Sequence, residues 1–243
     1  MASTGGVKNY YVFTTHKAAS RFIDALMRDI AIGTGLELHA PKHPGFPREK
    51  ELERDPSKLT VTGLIGTLRY AFMPLDWEDS HIMLHLRDPR DVLVSLYFSH
   101  KYSHRRSSEG FNPSSDSLNE LDKGIDNYVM FRAPQYLERY NFYIENMLGK
   151  ENVTFSRYED MVMDFEGWLP RFLEPYPLRN RKGFIAKQMK KRAAQFELDG
   201  SEDVTAHKRK AVPGDHKEKL EPATIEALNK MFAGPLASLK YEV

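Results

Sequence analysis

Cysteine is absent from all 243 residues. Its absence excludes a disulfide framework, a thiolate metal site and a cysteine nucleophile at once. An excess of one sign of charge is lacking too: charged residues make up 28% of the chain, yet the formal net charge is only +1. Bulk charge therefore implies neither a polyanion-binding surface nor a disordered charged tail, and any positive potential has to come from local clustering. No stretch approaches the roughly 18 apolar residues of a membrane span. The amino terminus lacks a basic-then-apolar leader, and Ala2 stands where myristoylation needs glycine. The expectation is a soluble, cytoplasmic protein that binds neither a membrane nor a nucleic-acid polymer. The sequon at Asn152 opens an apolar strand in a chain without a secretion signal, and carries no weight.

What is present alternates between strands and helices. Tyr10 to Thr14 is β-branched and aromatic, as a buried strand should be. A short loop then leads to Ser20, read as an N-cap, with Phe22, Ile23, Leu26, Met27 and Ile30 at helical spacing. Further strands are expected at Leu36–His39, Leu59–Ile65, His81–Leu86 and Val153–Ser156. Ala40 to Lys58 reads as a long surface loop. Pro89 suits the first turn of a helix, Asp126–Leu148 forms a long amphipathic helix, and the last helix starts near Pro222. Residues 198–220 carry much charge around Pro213-Gly214 and read as a mobile basic cover. Without repeats or a dividing linker, residues 1–243 are expected to form one α/β domain, a central parallel sheet flanked by helices.

Two stretches point to an anion. In open parallel sheets ligands bind beyond the carboxyl ends of the strands, and a helix N-terminus there offers free N–H groups and a favourable dipole. The loop after the first strand places Lys17, Ser20 and Arg21 at such a point. It is not the glycine-rich triphosphate loop, because His16-Lys17-Ala18-Ala19-Ser20 contains no glycine. After the fourth strand comes Arg87-Asp88-Pro89-Arg90-Asp91, with Ser95 further along the helix. An arginine leaving a strand and a hydroxyl on the following helix can converge on phosphate oxygens. A capped helix with a surface ion-pair cluster is the plainer alternative.

The segments Thr14-Thr15-His16-Lys17-Ala18-Ala19-Ser20-Arg21-Phe22 and Arg87-Asp88-Pro89-Arg90-Asp91-Val92-Leu93-Val94-Ser95-Leu96-Tyr97 together resemble the two nucleotide motifs of sulfotransferases. That family takes its sulfuryl group from 3′-phosphoadenosine 5′-phosphosulfate (PAPS) and releases 3′-phosphoadenosine 5′-phosphate (PAP). The resemblance implies a P-loop-like architecture, with the first unit at 7–30, the 3′-phosphate motif at 81–105 and the cover at 198–220. It implies donor contacts from His16, Lys17, Ala18, Ala19, Ser20 and Arg21 near the 5′ end, and from Arg87 and Ser95 at the 3′-phosphate. Ala19 stands where the family prefers glycine. Ser156-Arg157-Tyr158-Glu159-Asp160-Met161 resembles a further element that sets Tyr158 near the adenine, a core tyrosine being the alternative. Arg209-Lys210-Ala211-Val212-Pro213-Gly214-Asp215-His216-Lys217 resembles the segment that closes over the donor, adding Arg209 and Lys210; His216 replaces its tryptophan.

Sulfuryl transfer needs a base for the acceptor, positive charge for the group in flight, and no metal. His100 and His104 lack the remaining ligands of a metal site. By resemblance Lys17 is the catalytic cation at the bridging oxygen. Relatives that act on small molecules carry a base histidine in a K-T-H element, which aligns here with Val61-Thr62-Gly63-Leu64 and lacks the histidine. Other relatives use a glutamate about twenty residues after the loop lysine, which makes Glu37 the expected catalytic base, with His39, His43 and His16 in reserve. The acceptor is expected to be a small molecule or a carbohydrate, offering a hydroxyl or, less favoured, an amine. Phe46, Phe72, Trp77, Tyr97, Phe98 and Tyr102 would suit the first, and Lys42, Arg48, Lys101, Arg105 and Arg106 an acidic carbohydrate. The rival reading is a nucleotide-binding protein that keeps this fold without turnover.

Overall fold

The computed structural model describes residues 9–41, 43–103, 115–196 and 212–242. Internal contacts divide the chain into two compact units, residues 1–86 with 146–197 and residues 87–145 with 198–243. The first unit is built on a five-stranded parallel sheet, in the order β2-β3-β1-β4-β5. Its strands are β1 (Asn9–Thr14), β2 (Leu38–His39), β3 (Gly63–Leu68), β4 (Ser80–Leu86) and β5 (Val153–Arg157). Every residue of β1 and β3 is buried, as expected of central strands covered on both faces. Thr14 lies level with His85, so β1 and β4 end side by side.

Helix α1 (Ser20–Thr34) follows β1, and its apolar positions Ile23, Leu26, Met27 and Ile30 are fully buried. They pack in one cluster with Tyr10, Val12, Leu64 and Met83 of the sheet. The same cluster takes in α6 (Tyr158–Met163) and α7 (Phe165–Leu173) through Met161, Phe165, Trp168 and Phe172. Asp24 of α1 accepts hydrogen bonds from the N–H and hydroxyl of Thr67, at 3.2 and 2.7 Å, and so fixes the helix against β3. Two further helices complete this unit, α2 (Glu49–Arg54) and α8 (Arg181–Arg192).

Strand β3 begins at Gly63 and runs to Leu68, four residues later than the apolar pattern at Leu59–Ile65 suggests. Its glycines explain the shift. A side chain at Gly63 would meet the Glu37 carbonyl at 2.7 Å, and one at Gly66 the Val12 carbonyl at 2.8 Å. Neighbouring backbones approach there too closely for a Cβ, and both glycines also have positive φ. The expected strand at Leu36–His39 shortens to Leu38–His39.

In the second unit α3 (Pro89–Phe98) opens with proline in its first turn and with Asp88 as N-cap, accepting from the Arg90 N–H at 2.9 Å. It runs into a π-helical turn at Ser99–Ser103. Helix α4 (Ser115–Asp122) precedes α5 (Ile125–Asn146), whose buried Tyr128, Val129, Ala133, Tyr136, Tyr140 and Tyr143 recur every three to four residues on one face. Helices α9 (Asp215–Lys219), α10 (Pro222–Met231) and α11 (Ala233–Ser238) follow. No helix among the described residues is long and apolar enough to cross a membrane.

Candidate functional site

The loop after β1 is shaped by its backbone. Lys17 and Ala19 both take positive φ, 66° and 56°, although neither is glycine, and each adds local strain of about 1 kcal/mol. Such alternation turns successive N–H groups into a concavity suited to an anion. Ala19, not Ser20, is the N-cap of α1; no side chain caps it, and the first turn holds no acidic residue. A capping serine side chain would occupy the N–H groups that an anion needs, so moving the hydroxyl one position into the helix leaves them available. The side chains divide by exposure: His16 and Arg21 are exposed, Lys17 and Ser20 half-buried, and Ala18 fully buried. Thr15 is also fully buried, and its hydroxyl has no hydrogen-bond partner among the described residues.

One residue at this loop was not expected from the sequence. Arg69 is the first residue beyond β3, and its guanidinium donates to the Ser20 hydroxyl at 3.3 Å. The signal for it is the one that singled out Arg87, a basic residue leaving the carboxyl end of a buried strand. It was hidden because the strand was placed too early. Gly63 opens β3, whereas Thr67-Leu68-Arg69 stand at the strand's carboxyl end.

Glu37 is not brought to this loop. Its carbonyl accepts from the Leu64 N–H, which sets it level with the start of β3 and with Asn9 at the start of β1. At about 3.3 Å per residue the end of β1 lies roughly 16 Å further along the sheet. The carboxylate is 79% exposed and 3.7 Å from the His39 ring, so it is not buried beside a cleft. His39 follows it on the edge strand with its ring on the Thr62 carbonyl, and His43 is exposed in the next loop. Tyr158 opens α6 at 6% exposure within the apolar cluster that holds Phe165 and Trp168, which leaves little ring surface for a base to stack on.

In the second unit Arg87 and Asp91 form a buried pair, Nη2 to Oδ2 at 3.4 Å, with side chains 6% and 0% exposed. The Tyr140 hydroxyl donates to the Arg87 carbonyl at 2.5 Å. Asp91 is the hub. Its Oδ2 also accepts from the Gly214 N–H at 2.8 Å, and its Oδ1 accepts from both the N–H and the Nδ1 of His216, at 3.0 and 2.7 Å. Burial alone would push its pKa up, but the His216 hydrogen bond and the Arg87 charge outweigh burial and hold it well below the usual carboxylate range. Ser95 stands four residues after Asp91 on α3, on the same face and half-exposed. The other charges of the motif pair among themselves: Arg90 is bidentate on Asp88 and reaches Asn229 and the Glu242 carbonyl at 2.6 and 2.7 Å. They hold α3, whereas Arg87 pairs with Asp91 and Ser95 is partly exposed. Arg209 and Lys210 lie outside the described residues, as do Lys42, His104, Arg105 and Arg106.

Of the aromatic residues singled out for an acceptor, Phe72 and Tyr97 are buried. Phe98 and Tyr102 remain partly exposed and stack with ring centroids 6.0 Å apart; between them in sequence Lys101 bonds the Tyr97 hydroxyl at 2.6 Å. Among the described residues no group of three His, Asp or Glu side chains is placed to hold a metal ion.

A family model of the sulfotransferase domain matches residues 61–240. The chain belongs to the sulfotransferase family. It is therefore an enzyme that transfers sulfuryl groups. Solved structures agree on the fold. The mouse sulfotransferase SULT7A1 complexed with PAP is similar at 14% identity and a TM-score of 0.64, over 96% of this chain and 89% of that one. A retinol dehydratase in complex with retinol and PAP is similar at 13% identity and a TM-score of 0.58, over 94% of this chain and 81% of that one. No curated protein sequence matches this sulfotransferase.

Proposed function

We propose that this sulfotransferase uses PAPS as donor, binding its 3′-phosphate with Arg87 and Ser95 and its 5′ end with the loop at residues 16–21. The single observation that carries this reading is the arrangement of Arg87, Asp91 and Ser95 at the start of α3. An arginine is oriented there by a buried carboxylate, with a hydroxyl one turn further on the same face. An ordinary adenine nucleotide lacks the phosphate that this arrangement would discriminate. At the other end Lys17 supplies charge to the departing bridging oxygen, and the backbone N–H groups of Ala19 and Ser20 hold the 5′-phosphate. Arg69, joined to Ser20, adds a guanidinium to the same loop. A guanidinium offers donors and no acceptor, so it does not supply a base.

The proton of the acceptor then needs another group. His16 sits on the loop itself, whereas Glu37 and His39 lie back along the sheet, so His16 is the base we assign. The acceptor is a hydroxyl of a small molecule with an apolar part, in keeping with the partly exposed Phe98–Tyr102 pair and with the retinol held by one structural relative. The test is acceptor-dependent conversion of PAPS to PAP across a panel of phenols, alicyclic alcohols, amines and acidic oligosaccharides. Turnover with phenols or alcohols supports the reading. Turnover confined to the oligosaccharides overturns the choice of acceptor, and no conversion with any acceptor overturns the donor assignment.

A further inference from the structure

Residues 212–216 follow residues 197–211 in the chain, and the N–H groups of Gly214 and His216 are both bonded to Asp91. The Asp91 carboxylate divides its lone pairs. Oδ1 receives the His216 backbone and ring, and Oδ2 receives Gly214 and Arg87. His216 is 2% exposed, and its Nε2 has no hydrogen-bond partner among the described residues. The ring is thus held through Nδ1 alone, with Nδ1–H donating to the carboxylate. Gly214 has φ 85°, a conformation that lets the chain turn onto α3 and present two N–H groups to one carboxylate. A buried carboxylate with this many donors has one low-energy orientation, because any rotation leaves donors unsatisfied in the interior.

From this geometry we infer that Asp91 is a positioning residue for the donor and that His216 sets its orientation. One carboxylate then fixes both the guanidinium of Arg87 and the chain at Gly214–His216, where α9 begins. The inference rests on the donor reading above and deepens it. The discrimination for a 3′-phosphate then depends on His216, acting through Asp91. Losing the ring donor lets the carboxylate turn toward Arg87, so that the guanidinium is retained by Asp91 instead of being offered to the phosphate. The 5′ end is held elsewhere and is unaffected.

Calorimetric titration of PAP and AMP against wild type, His216→Phe and His216→Asn tests this. The asparagine amide can donate from the position of Nδ1, whereas phenylalanine keeps the bulk and loses the donor. The ratio of PAP to AMP affinity should fall about tenfold in His216→Phe, the scale of one hydrogen bond to a charged group. It should be largely restored in His216→Asn, with AMP affinity constant throughout. An unchanged ratio in His216→Phe, including equal weakening of both nucleotides, overturns the inference and leaves the clamp standing. Wild type that does not distinguish PAP from AMP overturns the donor reading instead. If the phenylalanine variant does not fold, hydrogen exchange on the unmodified protein decides. The amides of Gly214 and His216 should be protected and should slow further on adding PAP; exchange at open-chain rates, or indifferent to PAP, overturns the inference.

Discussion

On the proposed reading, the loop after β1 and the start of α3 both hold an anion, and they do so by opposite means. The loop uses backbone: two residues with left-handed φ, a helix N-terminus without a side-chain cap, and exposed or half-buried side chains around it. The start of α3 uses side chains: Arg87, Asp91 and His216 are all buried and joined to one another. A backbone cradle adapts to a group whose charge changes during reaction, as the 5′-phosphosulfate does. A side-chain clamp with its own counter-ion suits a group that is only recognised. Breaking the first should therefore cost turnover, and breaking the second should cost affinity, selectivity and stability.

The largest separation is expected from Lys17→Ala. It should lower the single-turnover rate about 100-fold, the scale of one lost transition-state donor, while melting within about 2 °C of wild type, as ordinary for a surface substitution. A variant that loses PAP affinity but keeps its rate would merge the two regions into one recognition site. Asp91→Asn should do the reverse. It leaves Arg87 buried beside a neutral amide and costs about 3 kcal/mol of stability, read by chemical denaturation at pH 7; a midpoint equal to wild type would contradict the hub. Because the folded pKa of Asp91 is depressed, its contribution is present above the ordinary carboxylate value near pH 4 and lost as pH falls below it.

Acid sensitivity nearer neutrality has a different origin and serves as a control on that assignment. His85 is fully buried, its Nδ1 shares a hydrogen bond with the Ser156 hydroxyl (2.9 Å), and Trp168 Nε1 donates to the same hydroxyl at 2.8 Å. Burial holds its pKa down to about 3. The unfolded chain takes up this proton below about pH 6.5 and the folded one does not, so stability should fall by about 1.4 kcal/mol per pH unit from there toward pH 3. His85→Gln should make that limb shallower, the remainder coming from His81, whose pKa burial also lowers, and should leave the carboxylate limb below pH 4; an unchanged slope would move its origin elsewhere. The smallest effect is expected at the loop. Ala19→Gly removes the penalty of a left-handed alanine and should stabilise by at most about 1 kcal/mol, whereas destabilisation would mean that residue 19 does not adopt this φ in solution.

The start of α3 was legible because its signals are local: an apolar strand, an N-capping aspartate, proline in the first turn, and a hydroxyl at helical spacing. The loop was legible in place but not in detail. Ser20 looked like the cap because serine usually is one, yet the chain reaches the helix through a left-handed Ala19, which composition does not announce. Strand β3 was misplaced because Gly63 and Gly66 weaken its apolar pattern while being required by backbone contacts to β1 and the Glu37 segment. An apolar pattern that ends at Ile65 does not show that Arg69 is the residue leaving the strand. Glu37 follows Lys17 by twenty positions, and a spacing in sequence carries no information on which end of a two-residue edge strand a side chain occupies. His216 was noticed only as a replacement for tryptophan; its bond to Asp91, 125 positions away, is a tertiary fact.

The central claim is that Arg87 reads a 3′-phosphate, and calorimetric titration of PAP, AMP and ATP against wild type and Arg87→Ala tests it most directly. Tighter binding of PAP than of AMP or ATP is expected in wild type, lost by about 30-fold or more in the variant as for a charged phosphate contact, with AMP affinity unchanged. PAP bound no more tightly than AMP, or a preference that survives Arg87→Ala, would contradict the account and return the start of α3 to a capped helix with an internal ion pair.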